Sequence, residues 1–354
     1  MTRQDVLDAI GRNETIEGQD LAGIDLSGCD LTGGRFEKIC LKGADLSRAH
    51  ILKTGFRRCD LSGVRFIGTD LTKLHLMKMD LAGADFREAT LNQTLLMESC
   101  LAGADFSGTL VSWTLMQHSD LTRARFVKTR FEKALMQHSR LMDADFTDAD
   151  LLKVMFNGSD LTGANFKGAH FQKILFQGCN LADQDFRNAN FIQVNAAQAN
   201  LSRADFTGAK MAYSHFLEAD LTEAKLVGAF AQNSLFKGAI LRGADLSDAN
   251  LSHAFFGEAD VSQANFSNAT IINGVFTGAV CRVARFNHAR CHYADFSHAD
   301  LTGADFTGAS LYGAKLHRVI EDHTNWSGAN MLLVKGTDSE LEEAERWMPP
   351  RDQI

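Results

Sequence analysis

The sequence predicts an all-β solenoid, a parallel β-helix of four-sided coils, and three observations carry that prediction. Every fifth residue from Leu21 through Leu26, Leu31 and Phe36 to Leu316 is a large apolar side chain, sixty pentads in a frame that never slips. Only Ala196, Ala231, Cys281 and Cys291 are small at this central position, and 23 of the 25 Phe fall on it. The segment LMQHSDL at 115–121 returns as LMQHSRL at 135–141, twenty residues on. Finally, both prolines, Pro349 and Pro350, lie beyond the repeats.

A period of five fits neither regular element. An α-helix turns 100° per residue, so every fifth side chain would spiral round its axis, and a flat strand would flip faces at each odd step. A chain that turns a corner once per pentad keeps each centre pointed at a common axis. The twenty-residue return of LMQHS then makes four pentads one coil, which gives about fifteen coils and a rod of roughly 72 Å at the ~4.8 Å spacing of paired strands. Two residues before each centre the chain prefers a small side chain, as at Ala44, Ala84 and Ala104, and one residue before it Asp or Asn.

Pentads such as GADLS (43–47), GANFK (163–167) and GADFT (303–307) closely resemble the pentapeptide-repeat proteins. The resemblance covers about residues 16–331 and implies a right-handed quadrilateral β-helix. It says little of function, because one fold serves unrelated roles.

The core follows from the frame. Phe66, Phe86, Phe106, Phe126, Phe146, Phe166, Phe186 and Phe206 form a column expected to stack ring on ring. Phe276, Cys281, Phe286 and Cys291 share one coil that alternates large and small centres, which fills a narrow tube without overpacking. Each buried centre is worth roughly 1.5–3 kcal/mol.

A tube needs covers for its apolar ends and strand edges. Residues 1–15 read as an N-terminal capping helix, with Thr2 as N-cap, Asp5 three positions on, Val6, Leu7 and Ile10 as the apolar face, and Gly11 at its close. Residues 16–331 are the repeats. Residues 332–354 read as a C-terminal capping helix and tail, with Ser339 and Glu342 as a capping box, Leu341, Ala344 and Met348 on one face, and Pro349 as the stop.

Composition excludes several classes. The N-terminus MTRQDVLDAI has no apolar leader core, and no run approaches the ~18 apolar residues that span a bilayer, so the expectation is a cytoplasmic protein with no membrane segment. The formal net charge of -8 argues against direct nucleic-acid binding but allows a basic partner or imitation of a polyanion.

Chemistry-bearing residues are scattered, not gathered. Cys29, Cys59 and Cys179 sit at the small inward position, Cys281 and Cys291 at centres, and Cys40 and Cys100 point outward three coils apart, so all seven read as filler in a reducing compartment. His118 and His138 stack by the coil period, but two imidazoles do not supply the three or four ligands of a zinc site. Asp and Asn recur on most coils, as expected of side chains that bond nearby backbone. No catalytic residue, cofactor or metal is expected, and the chain does not read as an enzyme.

One side departs from the pattern. Where Asp or Asn should precede the centre, the chain places Leu95, Leu115, Leu135, Met155 and Leu175, flanked by Met77, Met97, His118 and His138. After Asn195 and His215 the apolar run resumes with Leu235, Phe255 and Val275. Such a stripe, roughly 20–25 Å long in its first part, is a candidate protein interface; the alternative is that this side bends or has its outward positions partly covered by its neighbours, an altered geometry that the larger inward residues Thr94, Thr114, Val154 and Ile174 suggest. On an adjacent side Lys53, Lys73, Lys133, Lys153 and Lys173 form a column with Trp113, read as protection of strand faces against aggregation in preference to a nucleic-acid track.

These features predict a noncatalytic, rigid protein-binding scaffold that uses the stripe to hold a protein partner or a second copy of itself as a homodimer. The family resemblance adds bacterial adaptors associated with secretion machinery. It also implies an alternative, a DNA-mimicking protein that binds gyrase or another topoisomerase. That mechanism needs continuous acidic columns, whereas Cys40, Cys100 and Arg140 interrupt the column of Asp20, Asp60, Asp80, Asp120 and Asp160, and Arg65 and Arg125 interrupt that of Asp85, Asp105 and Asp145.

Overall fold

The computed structural model describes residues 1–346, so the roles expected of Met348 and Pro349 fall outside the described residues. The chain forms two compact units, Met1–Asn200 and Leu201–Ile354.

The first unit begins with helix α1 (Arg3–Gly11). Thr2 Oγ1 accepts the Asp5 N–H at 3.2 Å and the Asp5 carboxylate accepts the Thr2 N–H at 2.8 Å, a complete capping box. The helix buries Val6 and Ala9 while Leu7 is only half-buried, because residues three and four apart share a face and Leu7 lies off it. Ile10 reaches the first coil, where a Cβ on Gly34 would meet its Cδ1 at 3.2 Å.

Eight three-residue strands follow. Strands β1 (Thr15–Glu17), β2 (Arg35–Glu37) and β3 (Gly55–Arg57) form one parallel sheet. Strands β4 (Thr90–Asn92), β5 (Leu110–Ser112), β6 (Arg130–Glu132), β7 (Asp150–Leu152) and β8 (His170–Gln172) form another. Each pairing steps by twenty residues, as Thr15 with Arg35 and Leu110 with Arg130. On the other sides the ladder consists of single parallel bridges with the same step, such as Asp80 with Cys100, Asp85 with Asp105 and Leu95 with Leu115. Four bridged columns per twenty residues define a parallel β-solenoid with four-sided coils. Counted by regular strand it has eight rungs instead of the expected fifteen coils, because a pentad that also turns a corner leaves most sides one bridged residue. The second unit repeats the step from Asp205 with Lys225 to Lys315 with Lys335.

The corners explain the rest of the pentad. The carbonyl of a centre accepts the N–H three residues on, as Leu101 does from Ala104 and Leu121 from Ala124, both at 3.0 Å. The second corner residue has positive φ, +66° at Gly103 and +58° at Arg123. This is the pattern of a type II turn, which suits glycine. A side chain held there costs about 1 kcal/mol or more. The turns leaving β4 to β8 are open: residues 94, 114, 134, 154 and 174 make no such bond. The Thr94 and Thr114 hydroxyls donate instead to the carbonyls of Leu71 and Leu91 at 2.9 and 2.7 Å. The opening does not follow the size of the inward residue, since the small Ala134 shares it while Leu74 and Val64 keep the closed turn at 3.0 and 3.1 Å.

The centres fill the tube. Phe66, Phe86, Phe106, Phe126, Phe146 and Phe166 stack at centroid spacings from 4.6 to 5.5 Å. The expected column loosens at Phe186, whose ring tilts by 31° against Phe166, and Phe206 belongs to the second unit. There Phe276 and Phe286 meet edge to face across the tube at 5.9 Å, with the small Cys281 and Cys291 on the other two sides, the arrangement that offset quadrupoles favour.

Helix α2 (Ser339–Arg346) differs from expectation. Asp338, not Ser339, caps it, its carboxylate accepting the N–H groups of Glu340 and Leu341 at 3.0 and 3.1 Å. The expected apolar face is solvent-facing: Leu341 and Ala344 are exposed and the helix buries no residue. Polar side chains dock it instead.

Phe106→Ala should open a cavity in the stack and cost about 3–5 kcal/mol, read as a lower urea midpoint. Leu52→Ala, at a position 64% exposed, should leave the midpoint nearly unchanged.

Candidate protein-binding face

The repeated LMQHS now resolves residue by residue. Leu115 and Leu135 are the bridged rungs, and Met116 and Met136 are fully buried centres. Gln117 donates from Nε2 to Gln137 Oε1 at 2.6 Å, an amide ladder along the side. His118 and His138 occupy corner positions with φ of +55° and +54°, their rings stacked at 5.3 Å in solvent. Ser119 and Ser139 are buried and bridge coils, Ser119 Oγ donating to the Leu96 carbonyl at 2.9 Å while its N–H donates to Ser139 Oγ at 3.2 Å. The column steps down to Gly158, where a Cβ would strike His138 Nδ1 at 2.7 Å.

The ladder joins Leu95, Leu115, Leu135, Met155 and Leu175 in unbroken succession. All five are half-buried, not fully exposed as an open stripe would be, because each lies between the rungs above and below it. Met97 beside them is half-buried too. Leu235, Phe255 and Val275 form their own bridged row in the second unit, where the Phe255 ring folds over Gly257 so closely that a Cβ there would meet Cε1 at 2.5 Å.

Elsewhere the residue replaced by these leucines has a structural task. Asp80, Asp105 and Asp120 each accept the N–H two residues on, at 3.0, 2.9 and 3.0 Å, the Asx link that ties a corner to its side. The same bonds hold the Asp60 carboxyl below its ordinary range, the Ser62 hydroxyl and N–H being the cause. Leucine cannot make this bond, so the five apolar rungs forgo it. The acidic columns are also partly paired, Arg65 lying 3.4 Å from Asp45 and Arg87 2.7 Å from Asp85.

One edge of the face is the corner column of Trp113, Lys133, Lys153 and Lys173, all with positive φ. These lysines stand at turns and not on strand faces as the sequence suggested. Lys133 Nζ lies 3.9 Å over the Trp113 ring and 3.6 Å from Glu132.

Of the thiols, Cys179 and Cys291 are pushed up to about 12 by burial, and Cys281 is also raised by burial. Cys40 and Cys100 are half-buried, and all seven are free. One cluster escaped sequence reasoning because its members lie on separate repeats and on α2. Glu345 bonds Arg318 Nη1 at 2.8 Å, His298 Nε2 at 3.2 Å and His317 Nε2 at 3.3 Å. These two histidines and the carboxylate are close enough to suggest a metal. However, His317 Nδ1 accepts the Asp338 N–H at 3.1 Å, which places the ring proton on Nε2, the atom a metal would need, and Arg318 already supplies the positive charge. The cluster is an ion-paired clasp that docks α2.

A chain built of five-residue rungs around a four-sided parallel solenoid defines a class. The pentapeptide-repeat region model matches residues 115–186 and 149–226, and pentapeptide repeats match in eight copies from 15–48 to 284–320; the chain belongs to the pentapeptide-repeat family. No curated protein matches it. Among solved structures it is similar to HetL, a pentapeptide repeat protein involved in heterocyst differentiation regulation from the cyanobacterium Nostoc, at 21% identity over 76% of this chain and 89% of that one, TM-score 0.19. A structure of QnrB1, a plasmid-mediated fluoroquinolone resistance protein, shares 16% identity over 68% of this chain and 99% of that one, TM-score 0.23. With scores this low, the fold assignment rests on the register and the family match. Among the described residues no helix is long and apolar enough to cross a membrane.

Two outcomes follow from the site chemistry. In the folded protein Cys179, Cys281 and Cys291 should resist a maleimide at neutral pH while Cys40 and Cys100 react, read by mass spectrometry; denaturation should equalise all seven. The Glu345 carboxyl is held down to about 2, first by Arg318 and then by the histidines. Its pairing therefore adds stability above the ordinary glutamate range near pH 4.3 and loses it as pH falls through about 2. An NMR titration should show that low midpoint, and Arg318→Ala should raise it towards the ordinary range.

Proposed function

We propose that this protein is a noncatalytic binding scaffold whose first unit presents the Leu95–Leu175 face to a protein partner, an adaptor role in a bacterial cytoplasm of the kind that secretion systems use. The observation that carries the reading is the surrender of the Asx bond on five consecutive rungs in favour of apolar side chains. Fold maintenance alone would favour Asp or Asn there, as on the following side, where Asp120, Asp160 and Asn180 each accept the N–H two residues on. Catalysis is not part of the reading, since the chemistry-bearing groups of the face are stacked imidazoles, amides and lysines with no recessed carboxylate or thiol among them.

Leu115→Asp/Leu135→Asp tests this. Both side chains are outward, so the fold should survive, as checked by circular dichroism and an unchanged gel-filtration volume. Partners recovered by the wild type and identified by mass spectrometry should be lost by the variant. Retention of every partner by a folded variant would sink the reading. A wild-type dimer that becomes a monomer on substitution would make a second copy the partner.

A further inference from the structure

The geometry points to the chemistry of that partner: an acidic amphipathic helix, laid along the ladder with its apolar row on Leu95–Leu175 and its carboxylates along the lysine corner. This inference rests on the proposed use of the face.

Charge is the first argument. The protein carries a net -8, and Asp lines the opposite side of the coil at Asp85, Asp105 and Asp145. Yet the five segments of this face, 93–98, 113–118, 133–138, 153–158 and 173–178, contain one carboxylate, Glu98, and it is paired with Lys78 at 3.3 Å. Against it stand Lys133, Lys153 and Lys173 on successive coils. Among the described residues Lys153 and Lys173 make no ion pair, and both are exposed. Glu132 beside Lys133 and Asp150 near Lys153 are the nearest acids by sequence, and both belong to the adjoining side. Lys133 is paired with Glu132 at 3.6 Å, which leaves Lys153 and Lys173 as like charges on adjacent coils about 4.8 Å apart that an anionic partner lying across them would neutralise.

The backbone excludes the commonest alternative shape. Leu115 donates its N–H to the Thr94 carbonyl at 3.0 Å, Met116 to Leu135 at 2.7 Å and Leu135 to Thr114 at 3.0 Å. The face offers no unpaired edge to which a strand could add, so recognition runs through side chains. An α-helix along the ladder presents one apolar row with a pitch of ~5.4 Å, close to the ~4.8 Å rung spacing, and about thirteen residues span all five rungs. Its flank then meets the lysine column, and the exposed Trp113 closes that edge as an aromatic contact of the kind that dominates interfaces.

The test uses the full chain and two synthetic helical peptides of about fourteen residues with identical leucine rows, one with Glu and one with Lys along the flank. Fluorescence anisotropy should show binding of the Glu peptide, weakened about tenfold or more by high salt, and little binding of the Lys peptide. Lys133→Glu/Lys153→Glu/Lys173→Glu should reverse the preference. Equal binding of both peptides, no binding of either, or an unreversed preference overturns the inference. Tighter binding of a single-stranded oligonucleotide than of the Glu peptide also overturns it, in favour of a nucleic-acid track. If Leu115→Asp/Leu135→Asp abolishes capture of the natural partner while the triple variant retains it, the face is the interface and only its acidic partner is wrong. If the leucine variant also retains it, the proposed function itself fails.

Discussion

The coil-to-coil backbone hydrogen bond is the constraint on which everything else depends. Each bridged residue donates to the coil before it and each centre to the coil after it, as Asp105 to Ala84 at 2.9 Å and Phe106 to Arg125 at 2.7 Å. Because that step is always twenty residues, a side chain's position is decided by its place in the sequence modulo twenty. Phenylalanines become stacks, serines become a buried bridge and leucines become a row without any longer-range design. The same step makes errors costly, since an inserted residue would rotate every later centre off the axis. Such a scaffold offers its surface as columns, and a column is altered only by repeated substitution.

Periodicity made the architecture legible. The frame from Leu21 to Leu316 named the buried centres and the repeat of LMQHS named the coil, because both are translational signals that survive without side-chain detail. The capping box of Thr2 and Asp5 was equally plain, being local. The C-terminal helix was not. Its cap moved to Asp338 and its expected apolar face turned to solvent, because docking is decided by Glu345 meeting His298, His317 and Arg318, side chains brought together only by folding. No spacing rule finds a clasp of that kind.

The candidate face was half legible. Its residues followed from the broken Asp pattern, and the ladder aligns them, but the pattern left open whether they stand clear or are partly covered by their neighbours. A list of outward positions treats each leucine as open, whereas stacking covers its upper and lower sides and leaves a half-buried strip. The corner lysines were misplaced for a related reason. Glycine at Gly43, Gly63, Gly83 and Gly103 marks the positive-φ corner, and Lys133, Lys153 and Lys173 occupy the same place in their own pentads, a reading that requires the turn type as well as the period.

That position bears on how the face works. A lysine at a type II corner accepts backbone strain that glycine would avoid, just as a leucine on the rung forgoes a hydrogen bond that aspartate would make. Two independent local costs thus fall on the same coils, at the rungs Leu115 to Leu175 and at the corners Lys133 to Lys173. Neither exchange improves the core, whose centres remain fully buried at Met116, Met136 and Phe156. Locally inconsistent choices are the ones that a fold has no reason to make for itself. Non-glycine residues take the same positive φ at many other corners, as Arg123, Asp143 and Asn233 do. What distinguishes this face is that three successive coils each set a lysine at the corner beside an apolar rung, Lys133 with Leu135, Lys153 with Met155 and Lys173 with Leu175.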